Sequence, residues 1–328
     1  FRVRIGAILS DEYEQEMGVP QGCILSVTLF CLKINSIVKT LLPDTECSLY
    51  VDDFLIFFHS RHMPTIERHL QRVLNKLQVW ADENGFKFST SKTVVMHFCR
   101  MKKEHSHPEL FLNGTALPVV EETKFLGLIF DSKLTFIPHL KYLRKKCLQA
   151  INLLRVVGHY DWGADSTTLL KLYDSTIRSK LDYGCMVYGS ACDSYLKMLD
   201  PIQNKALRIC LGAFRTSPIP SLQVYSKRPP LDLRRTKLGL QYALQLKSNP
   251  LNPTHKIVFQ PRFAELFENK PKSTPTFGIR TLNPFKTANI SIDNIGTIDL
   301  PKTPPWSICT PSILLNLAED KKSDTSST

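Results

Sequence analysis

The hydrophobic pattern of the chain changes near residue 131, and this change limits the folds that the chain can adopt. Before it, short apolar strand segments surround one long amphipathic pattern that begins at Pro64 and ends near Gly85. After it, helical periodicity continues as far as residue 248. This order predicts an α+β fold, in which an antiparallel sheet with helices is followed by an all-helical segment.

Local signals place the individual elements. Asn113 and Gly114 form a two-residue hairpin signal between apolar flanks. Asp165 or Ser166 can cap a helix. Strands are predicted at 47–51, 54–58, 93–98 and 124–130, and helices at 64–84, 139–154, from 166, 196–210 and 231–246.

The positive charge of the chain is concentrated in the helical segment. Residues 1–130 hold 14 basic and 15 acidic side chains, whereas residues 131–248 hold 19 and 8. Residues 249–328 hold 9 and 7. A surplus of 11 positive charges in one segment is typical of a surface that binds a phosphate backbone, because each neutralised phosphate releases condensed counterions.

The last 80 residues have a different composition. They contain ten of the 21 prolines, interleaved with Ser, Thr and Asn. The sequence therefore predicts an extended, largely disordered linker over residues 249–328. No run of about 18 apolar residues occurs, which predicts no membrane partner. Nine scattered cysteines without metal-ligand spacing favour reduced thiols and an intracellular location in nucleus and cytoplasm.

Two adjacent carboxylates, Asp52 and Asp53, lie in Tyr50-Val51-Asp52-Asp53 between two apolar strand segments. Neighbouring acids beside a hydrophobic sheet repel each other and lose solvation, and a bound cation offsets this cost. Mg²⁺ prefers oxygen ligands, so the pair is a candidate metal site. The alternative is a solvent-exposed hairpin tip, for which Asp-Asp is ordinary turn chemistry.

A loop rich in glycine precedes this hairpin, at residues 18–26. Gly18 and Gly22 let the backbone approach a ligand closely, and Gln21 between them offers hydrogen-bond donors and acceptors. The alternative is a plain strand-to-helix turn with Ser26 as the helix cap.

The order of four motifs resembles a known family. A Gly-Val-Pro-Gln-Gly loop (18–22) leads into a helix, and Tyr-Val-Asp-Asp (50–53) follows in a hairpin. Trp-Ala to Lys-Thr (80–93) and Lys-Phe-Leu-Gly (124–127) come next. In this order and spacing they resemble the reverse transcriptases of LINE-type (non-LTR) retrotransposons, especially the jockey-like elements of arthropods, over residues 1 to about 248.

The resemblance implies an RNA-directed DNA polymerase that works by two-metal nucleotidyl transfer with Mg²⁺, or with Mn²⁺ in its place. The implied partners are an RNA template with a DNA primer, or an RNA–DNA hybrid, and deoxynucleoside triphosphates. The implied domains are a partial polymerase palm at 1–130 and a basic helical thumb at 131–248. Residues 249–328 resemble a linker toward a ribonuclease H domain.

The resemblance also implies roles for single residues. Asp52 is similar to the metal ligand of the palm, and Asp53 to a partner that contributes less directly. Lys92 resembles a lysine that protonates pyrophosphate, although a surface lysine explains it equally well. Substrate contacts are implied for Gln21, Gly22, Tyr50, Phe125, Leu126 and Gly127, and nucleic-acid contacts for Lys141, Arg144, Lys145 and Lys146.

One feature of the family has no counterpart before Gly18. The family places a further metal-binding Asp upstream of the loop, and neither Asp11 nor any earlier residue fits it. Holding two cations about 3.5–4 Å apart needs carboxylates from separate strands. We therefore expect a fragment that does not polymerise unaided. Two alternatives stay open, a non-catalytic nucleic-acid-binding remnant and a pseudogene product.

Overall fold

The computed structural model describes residues 2–14, 18–20, 22–101, 106–159, 161–261, 264–268 and 275–297. It forms two compact units, residues 1–235 and 236–328. Helices and small antiparallel sheets make up the described part, which confirms the α+β class. The unit boundary coincides with neither predicted domain boundary, so the division into palm, thumb and linker stays a prediction.

The strands form four separate antiparallel pairs within the described residues. These are β1 Arg4–Ile5 with β2 Ile8–Leu9, β3 Glu46–Tyr50 with β4 Asp53–Phe57, β5 Phe111–Leu112 with β6 Thr115–Ala116, and β7 Glu122–Phe125 with β8 Leu128–Asp131. Asn113 and Gly114 form the β5–β6 turn at positive φ, as the sequence predicts.

Two strand predictions are wrong. The predicted strand at 93–98 contributes only one isolated parallel bridge, from Val95 to Val119. The predicted strand at 124–130 is two strands, because Leu126 and Gly127 have φ of 45° and 82° and reverse the chain. The residues before and after the turn are apolar and fit a strand pattern, so periodicity alone does not reveal the turn between them.

Ten helices are described between residues 24 and 247. They are α1 Ile24–Ile34, α2 Met63–Asn84, α3 Ile137–Val157, α4 Ser166–Tyr173, α5 Ser179–Asp182, α6 Cys185–Tyr188, α7 Asp193–Leu196, α8 Asp200–Leu211, α9 Ile219–Ser226 and α10 Leu231–Lys247. A π-helical turn, Asp174–Arg178, joins α4 to α5, and a 3₁₀ turn, Lys197–Leu199, joins α7 to α8.

The first hydrophobic core forms around α2. Proline in the first turn starts this helix, and Gly85 ends it at φ 72°. Its buried side chains include Val73, Leu77 and Trp80, which pack with the β5–β6 hairpin and with the 3₁₀ turn Asn35–Thr40. The Trp80 indole N–H also donates to the Ser36 hydroxyl at 3.0 Å. This core supports the β3–β4 hairpin.

The second core forms around α3. One side of this helix is buried against α8, α4 and β8, as the predicted periodicity requires. Leu140, Ile151 and Leu154 have no exposed surface, and each such side chain contributes roughly 2 kcal/mol of hydrophobic stabilisation. The opposite side of α3 faces solvent and carries the basic residues.

Helix α1 differs from the others because its apolar side chains face solvent. Ile24, Leu25, Val27, Leu29 and Leu32 are all more than half exposed. An exposed apolar surface of this kind is unusual for a monomeric protein. Within the described residues, no helix is both long and apolar enough to cross a bilayer.

The second unit corrects the expectation of an extended segment after residue 249. It contains α11 Pro253–Phe259, α12 Ala264–Glu268 and α13 Phe277–Thr287. Pro253 lies in the first turn of α11, where proline is favourable, and the Asn252 side chain caps that helix. Gly278 of α13 packs directly on the backbone of Val258. Residues 298–328 of the predicted linker lie outside the described residues.

Candidate functional site

The β3–β4 hairpin carries the two candidate carboxylates. Val51 and Asp52 form its two-residue turn, and Tyr50 pairs with Asp53. Leu49, Phe54 and Ile56 pack against the α2 core. The hydrophobic alternation of the two strands therefore fixes one hairpin face on the core and directs the other face outward.

Asp52 and Asp53 lie at the tip of this hairpin, as the sequence predicts, and both are exposed. Asp53 shares its face with Tyr50, the residue across from it, and Tyr50 is 62% exposed. Paired residues of an antiparallel hairpin project from the same face. A ligand can therefore reach Asp52, Asp53 and Tyr50 from solvent.

The donor set at this tip suits a hard divalent cation, since carboxylate oxygens are the ligands that Mg²⁺ prefers. Both carboxylates come from one hairpin, Asp52 from its turn and Asp53 from the first position of β4. Across the part of the chain that is described, no group of three or more His, Cys, Asp or Glu side chains is placed to hold a metal ion. Asp52 and Asp53 thus fit part of a magnesium coordination shell, and their metal role stays a prediction.

The glycine-rich loop leads into α1. Gly18 and Gly22 have φ of 85° and 92°, values that glycine adopts without strain, and the space beside Gly22 is open. The Ser26 hydroxyl donates to the Pro20 carbonyl at 2.6 Å, while Cys23 occupies the cap position. The alternative prediction, a turn in which Ser26 caps the helix, is therefore wrong about the cap. Gln21 lies outside the described residues.

Lys92 lies in an exposed turn that the Ser89 carbonyl organises. That carbonyl accepts hydrogen bonds from the Lys92 amide at 3.2 Å and from the Thr93 amide and hydroxyl. The turn leaves the lysine ammonium in solvent. This geometry is compatible with a surface lysine and with a catalytic one, so the role of Lys92 stays a prediction.

The β7–β8 turn carries the other implied substrate residues. Phe125 pairs with Leu128 across it, and Leu126 and Gly127 form the two-residue turn. Positive φ at both turn positions gives the twist that a tight hairpin needs. The structure thus presents Leu126 and Gly127 at a hairpin tip rather than inside a continuous strand.

The basic side of α3 is exposed. Lys141, Arg144, Lys145 and Lys146 all lie on it. Lys141 and Lys145 are one helical turn apart and share a face. We therefore expect these side chains to be available to a phosphate backbone.

Tyr142 and Lys124 extend this basic surface, and the sequence argument missed both. The Tyr142 ring centroid lies 5.8 Å from the Lys146 ammonium and 5.4 Å from that of Lys124, which belongs to β7. An aromatic ring beside two cations is a favourable environment for nucleic acid, since rings stack on bases while ammonium groups contact phosphates. The position of Tyr142 between Lys141 and Arg144 in the sequence was the signal that could have identified it.

Comparison with known proteins identifies the segment that holds both hairpin tips. Residues 4–130 match the family described as "Reverse transcriptase (RNA-dependent DNA polymerase)". We call residues 4–130 the reverse transcriptase-like segment, because this is the part of the chain that matches the family. The resemblance to the reverse transcriptases of non-LTR retrotransposons is thereby confirmed.

Several curated insect proteins resemble the chain over a longer stretch. The "Probable RNA-directed DNA polymerase from transposon X-element" of Drosophila melanogaster is 29% identical over 226 residues, 65% of this chain and 24% of that protein. The "RNA-directed DNA polymerase from mobile element jockey" of the same species is 26% identical over 268 residues, covering 78% and 28%. The "Putative 115 kDa protein in type-1 retrotransposable element R1DM" is 26% identical over 230 residues, covering 70% and 22%.

These matches are longer than the reverse transcriptase-like segment, so the likeness continues into the helical segment. The chain spans about a quarter of the length of these curated relatives. No solved structure matches it.

Asp131 and His139 fix α3 to β8, the strand at which the reverse transcriptase-like segment ends. The buried Asp131 carboxylate accepts hydrogen bonds from the Thr135 amide at 2.9 Å and from the Phe136 amide at 2.7 Å. His139 Nδ1 accepts one from the Ile129 amide at 3.3 Å. The hairpin β7–β8 and the basic side of α3 are therefore held in a defined arrangement.

The His139 contact makes the stability of this junction depend on pH. Burial lowers the pKa of His139 below its ordinary value, so the folded state keeps the ring neutral. The unfolded chain binds a proton below about pH 6.5. Stability is therefore full above that pH and falls as the pH drops toward the lowered pKa of the folded state.

We expect His139→Gln to reduce this loss of stability on acidification, measured as the free energy of unfolding between pH 7.5 and pH 5. The glutamine amide oxygen can still accept from the Ile129 amide. His159→Gln, at an exposed histidine, is the matched control and should leave the pH dependence unchanged. Identical pH profiles for the wild type and His139→Gln would contradict the assignment.

Proposed function

We propose that the chain acts in RNA-directed DNA synthesis and extends a DNA primer on an RNA template. The observation that carries this proposal is the placement of Asp52 and Asp53 at the tip of the β3–β4 hairpin, within the reverse transcriptase-like segment. Hairpin geometry brings two oxygen donors to one exposed tip. That tip is open to a nucleotide substrate.

In this proposal Asp52 is a ligand of Mg²⁺ or Mn²⁺, and Asp53 supports it from the next position. The cation, when bound, lowers the pKa of the primer hydroxyl and neutralises charge on the leaving pyrophosphate. Tyr50 lies across from Asp53 and contacts the incoming deoxynucleoside triphosphate. Gln21 and Gly22 contact the nucleotide and template, and Lys92 donates a proton to pyrophosphate.

The hybrid duplex is held by two further surfaces. Phe125, Leu126 and Gly127 contact the primer end at the β7–β8 turn. Lys141, Arg144, Lys145 and Lys146 contact phosphates along the duplex, in support of which all four are exposed. Asp131 and His139 hold these two surfaces in a fixed relation.

Primer extension on an RNA template of defined sequence tests the proposal against the sequence-based expectation of a fragment that does not polymerise unaided. With Mg²⁺ or Mn²⁺, we expect the primer to gain nucleotides whose identity follows the template. Omission of one deoxynucleoside triphosphate should stop synthesis at the template position that requires it. Extension that ignores the template, or a chain that neither extends nor binds the hybrid, would contradict the proposal.

A second candidate function is binding of the hybrid without chemistry. The observation that favours it is that both carboxylates lie at the tip of one exposed hairpin, whereas two-metal catalysis uses ligands that converge from separate strands. The same assay separates the two candidates. Hybrid binding with no extension in either metal favours the second.

Both candidates predict that the basic side of α3 sets the salt dependence of hybrid binding. We expect replacement of Lys141, Arg144, Lys145 and Lys146 with Ala to weaken binding and flatten the plot of log affinity against log salt. Each lost phosphate contact reduces the slope by about 0.9, so four contacts correspond to a change of about 3.6. Fluorescence anisotropy over a range of salt concentrations measures it.

A matched variant controls for net charge. Arg68, Arg72 and Lys76 on α2 and Lys39 are also exposed, and their replacement with Ala removes the same charge elsewhere. We expect this control to keep the wild-type slope. Equal slopes for the two quadruple variants would show that binding follows total charge and not the side chains of α3.

A further inference from the structure

Tyr183 reaches from the helical segment to the β7–β8 turn. It follows α5, and its hydroxyl donates a hydrogen bond to the Leu126 carbonyl at 2.7 Å. Its ring lies against Gly127, since a Cβ on that glycine would come within 3.2 Å of the ring. One side chain from a distant part of the sequence thus contacts both residues of the turn.

The turn that Tyr183 contacts has an uncommon backbone. Leu126 has φ of 45°, a backbone conformation that residues other than Gly, Asn and Asp rarely adopt. Gly127 at φ 82° accepts its conformation without strain, and a Cβ there would lie 3.2 Å from the Tyr183 ring, closer than an ordinary contact. The hydrogen bond from Tyr183 to the Leu126 carbonyl therefore stabilises a backbone conformation that leucine by itself does not favour.

Gly184 makes a second contact of the same kind. Its φ is 65°, and a Cβ there would lie 2.6 Å from a Leu128 methyl group. Tyr183 and Gly184 thus contact the turn and the strand that leaves it. Two consecutive residues of the helical segment fix three consecutive residues of the hairpin, 126–128.

Core packing does not account for the Tyr183 side chain. Tyr183 is 58% exposed, so its ring contributes little buried area. Tyr173 and Tyr188, in contrast, are fully buried and belong to the core. The features specific to Tyr183 are its hydroxyl contact and its position beside the hairpin tip.

We propose that Tyr183 is a positioning residue that sets the Leu126-Gly127 turn for contact with the 3′ end of the primer. The inference rests on the proposed function, in which that turn contacts the primer end. The helical segment then controls primer placement through one hydroxyl group. Tyr183 itself touches no reacting atom.

Crosslinking from a primer with a photoreactive 3′-terminal nucleotide tests this role. In the wild type, we expect crosslinks within residues 125–127, mapped by mass spectrometry. Tyr183→Phe removes only the hydroxyl and should lower this crosslink yield about three- to tenfold, the range for loss of one hydrogen bond. Overall hybrid affinity should stay within twofold, because the basic side of α3 is unchanged.

Two further variants make the test specific. Tyr183→Leu also removes the ring and should lower the yield further, and an unchanged far-UV circular dichroism spectrum would show that both variants fold. Tyr225→Phe removes a hydroxyl from a tyrosine that is 79% exposed and should behave as wild type. Where extension is measured, kcat should fall in Tyr183→Phe with the KM for primer–template within twofold of wild type, because hybrid binding is kept and only the placement of the primer end changes.

The outcomes separate this inference from the proposed function. Hybrid binding with wild-type crosslinking in Tyr183→Phe overturns the positioning role alone. Hybrid binding with wild-type crosslinks outside 125–127 also overturns it and leaves the nucleic-acid role intact. Absence of hybrid binding by the wild type overturns both.

Discussion

Replacing Asp52 with Asn is expected to abolish template-directed primer extension, with a rate loss of about a thousandfold or more. A neutral amide is a weaker ligand for a hard cation than a carboxylate. Metal coordination contributes several kcal/mol to stabilisation of the transition state, and about 4 kcal/mol corresponds to a thousandfold in rate. Because Asp52 is exposed at a hairpin tip, the substitution should leave stability within about 0.5 kcal/mol.

Two variants with the same chemical change make the result interpretable. Asp53→Asn should have a smaller effect, since Asp53 is proposed to support the metal less directly. Asp44 lies in an exposed turn before β3, at the end of the hairpin opposite to Asp52. Its φ of 65° is one that Asn tolerates. We therefore expect the Asp44→Asn variant to extend primers at the wild-type rate. Initial extension rates in Mg²⁺ and Mn²⁺ measure all three. Wild-type rates in Asp52→Asn would remove Asp52 from the site.

Replacing Asp182 with Asn is expected to lower the free energy of unfolding by about 3 kcal/mol. Asp182 pairs with Arg178, whose side chain is 7% exposed, at 3.6 Å, and with Arg234 at 2.8 Å. Removing the carboxylate leaves the buried Arg178 charge without its acidic partner, a defect that costs about 3–5 kcal/mol. Arg178 Nη1 keeps its hydrogen bond to Gln203 at 2.9 Å, which places the expected loss at the lower end.

The neighbouring pair of Asp174 and Arg228 provides the control. Asp174 and Arg228 are 39% and 27% exposed, so Asp174→Asn should cost about 1 kcal/mol or less. Urea denaturation followed by far-UV circular dichroism measures the free energy of unfolding of the two variants. The comparison requires that the m-value, the slope of this free energy against urea concentration, is the same in both. Equal losses for Asp182→Asn and Asp174→Asn would show that burial of Arg178 does not control the energetics of this network.

The candidate site was predictable from sequence to the extent that it is local. A turn between two apolar strands identified Asp52 and Asp53, and the exposed basic side of α3 followed from helical periodicity. Tyr183 was not predictable, because it lies 57 residues from the carbonyl that its hydroxyl contacts. Tyr142 and Lys124 belong to different elements and meet only when β7 lies beside α3.

Local sequence patterns are enough to predict the α+β class, the helix from Met63 to Asn84, the β3–β4 hairpin and the exposure of the basic residues of α3. These features depend on periodicity, caps and turn residues, which act over a few neighbouring positions. The turn at Leu126 and Gly127 and the helix that begins at Pro253 became evident only in the folded chain. In both places the local residues permit more than one conformation, and contacts between distant segments select one of them.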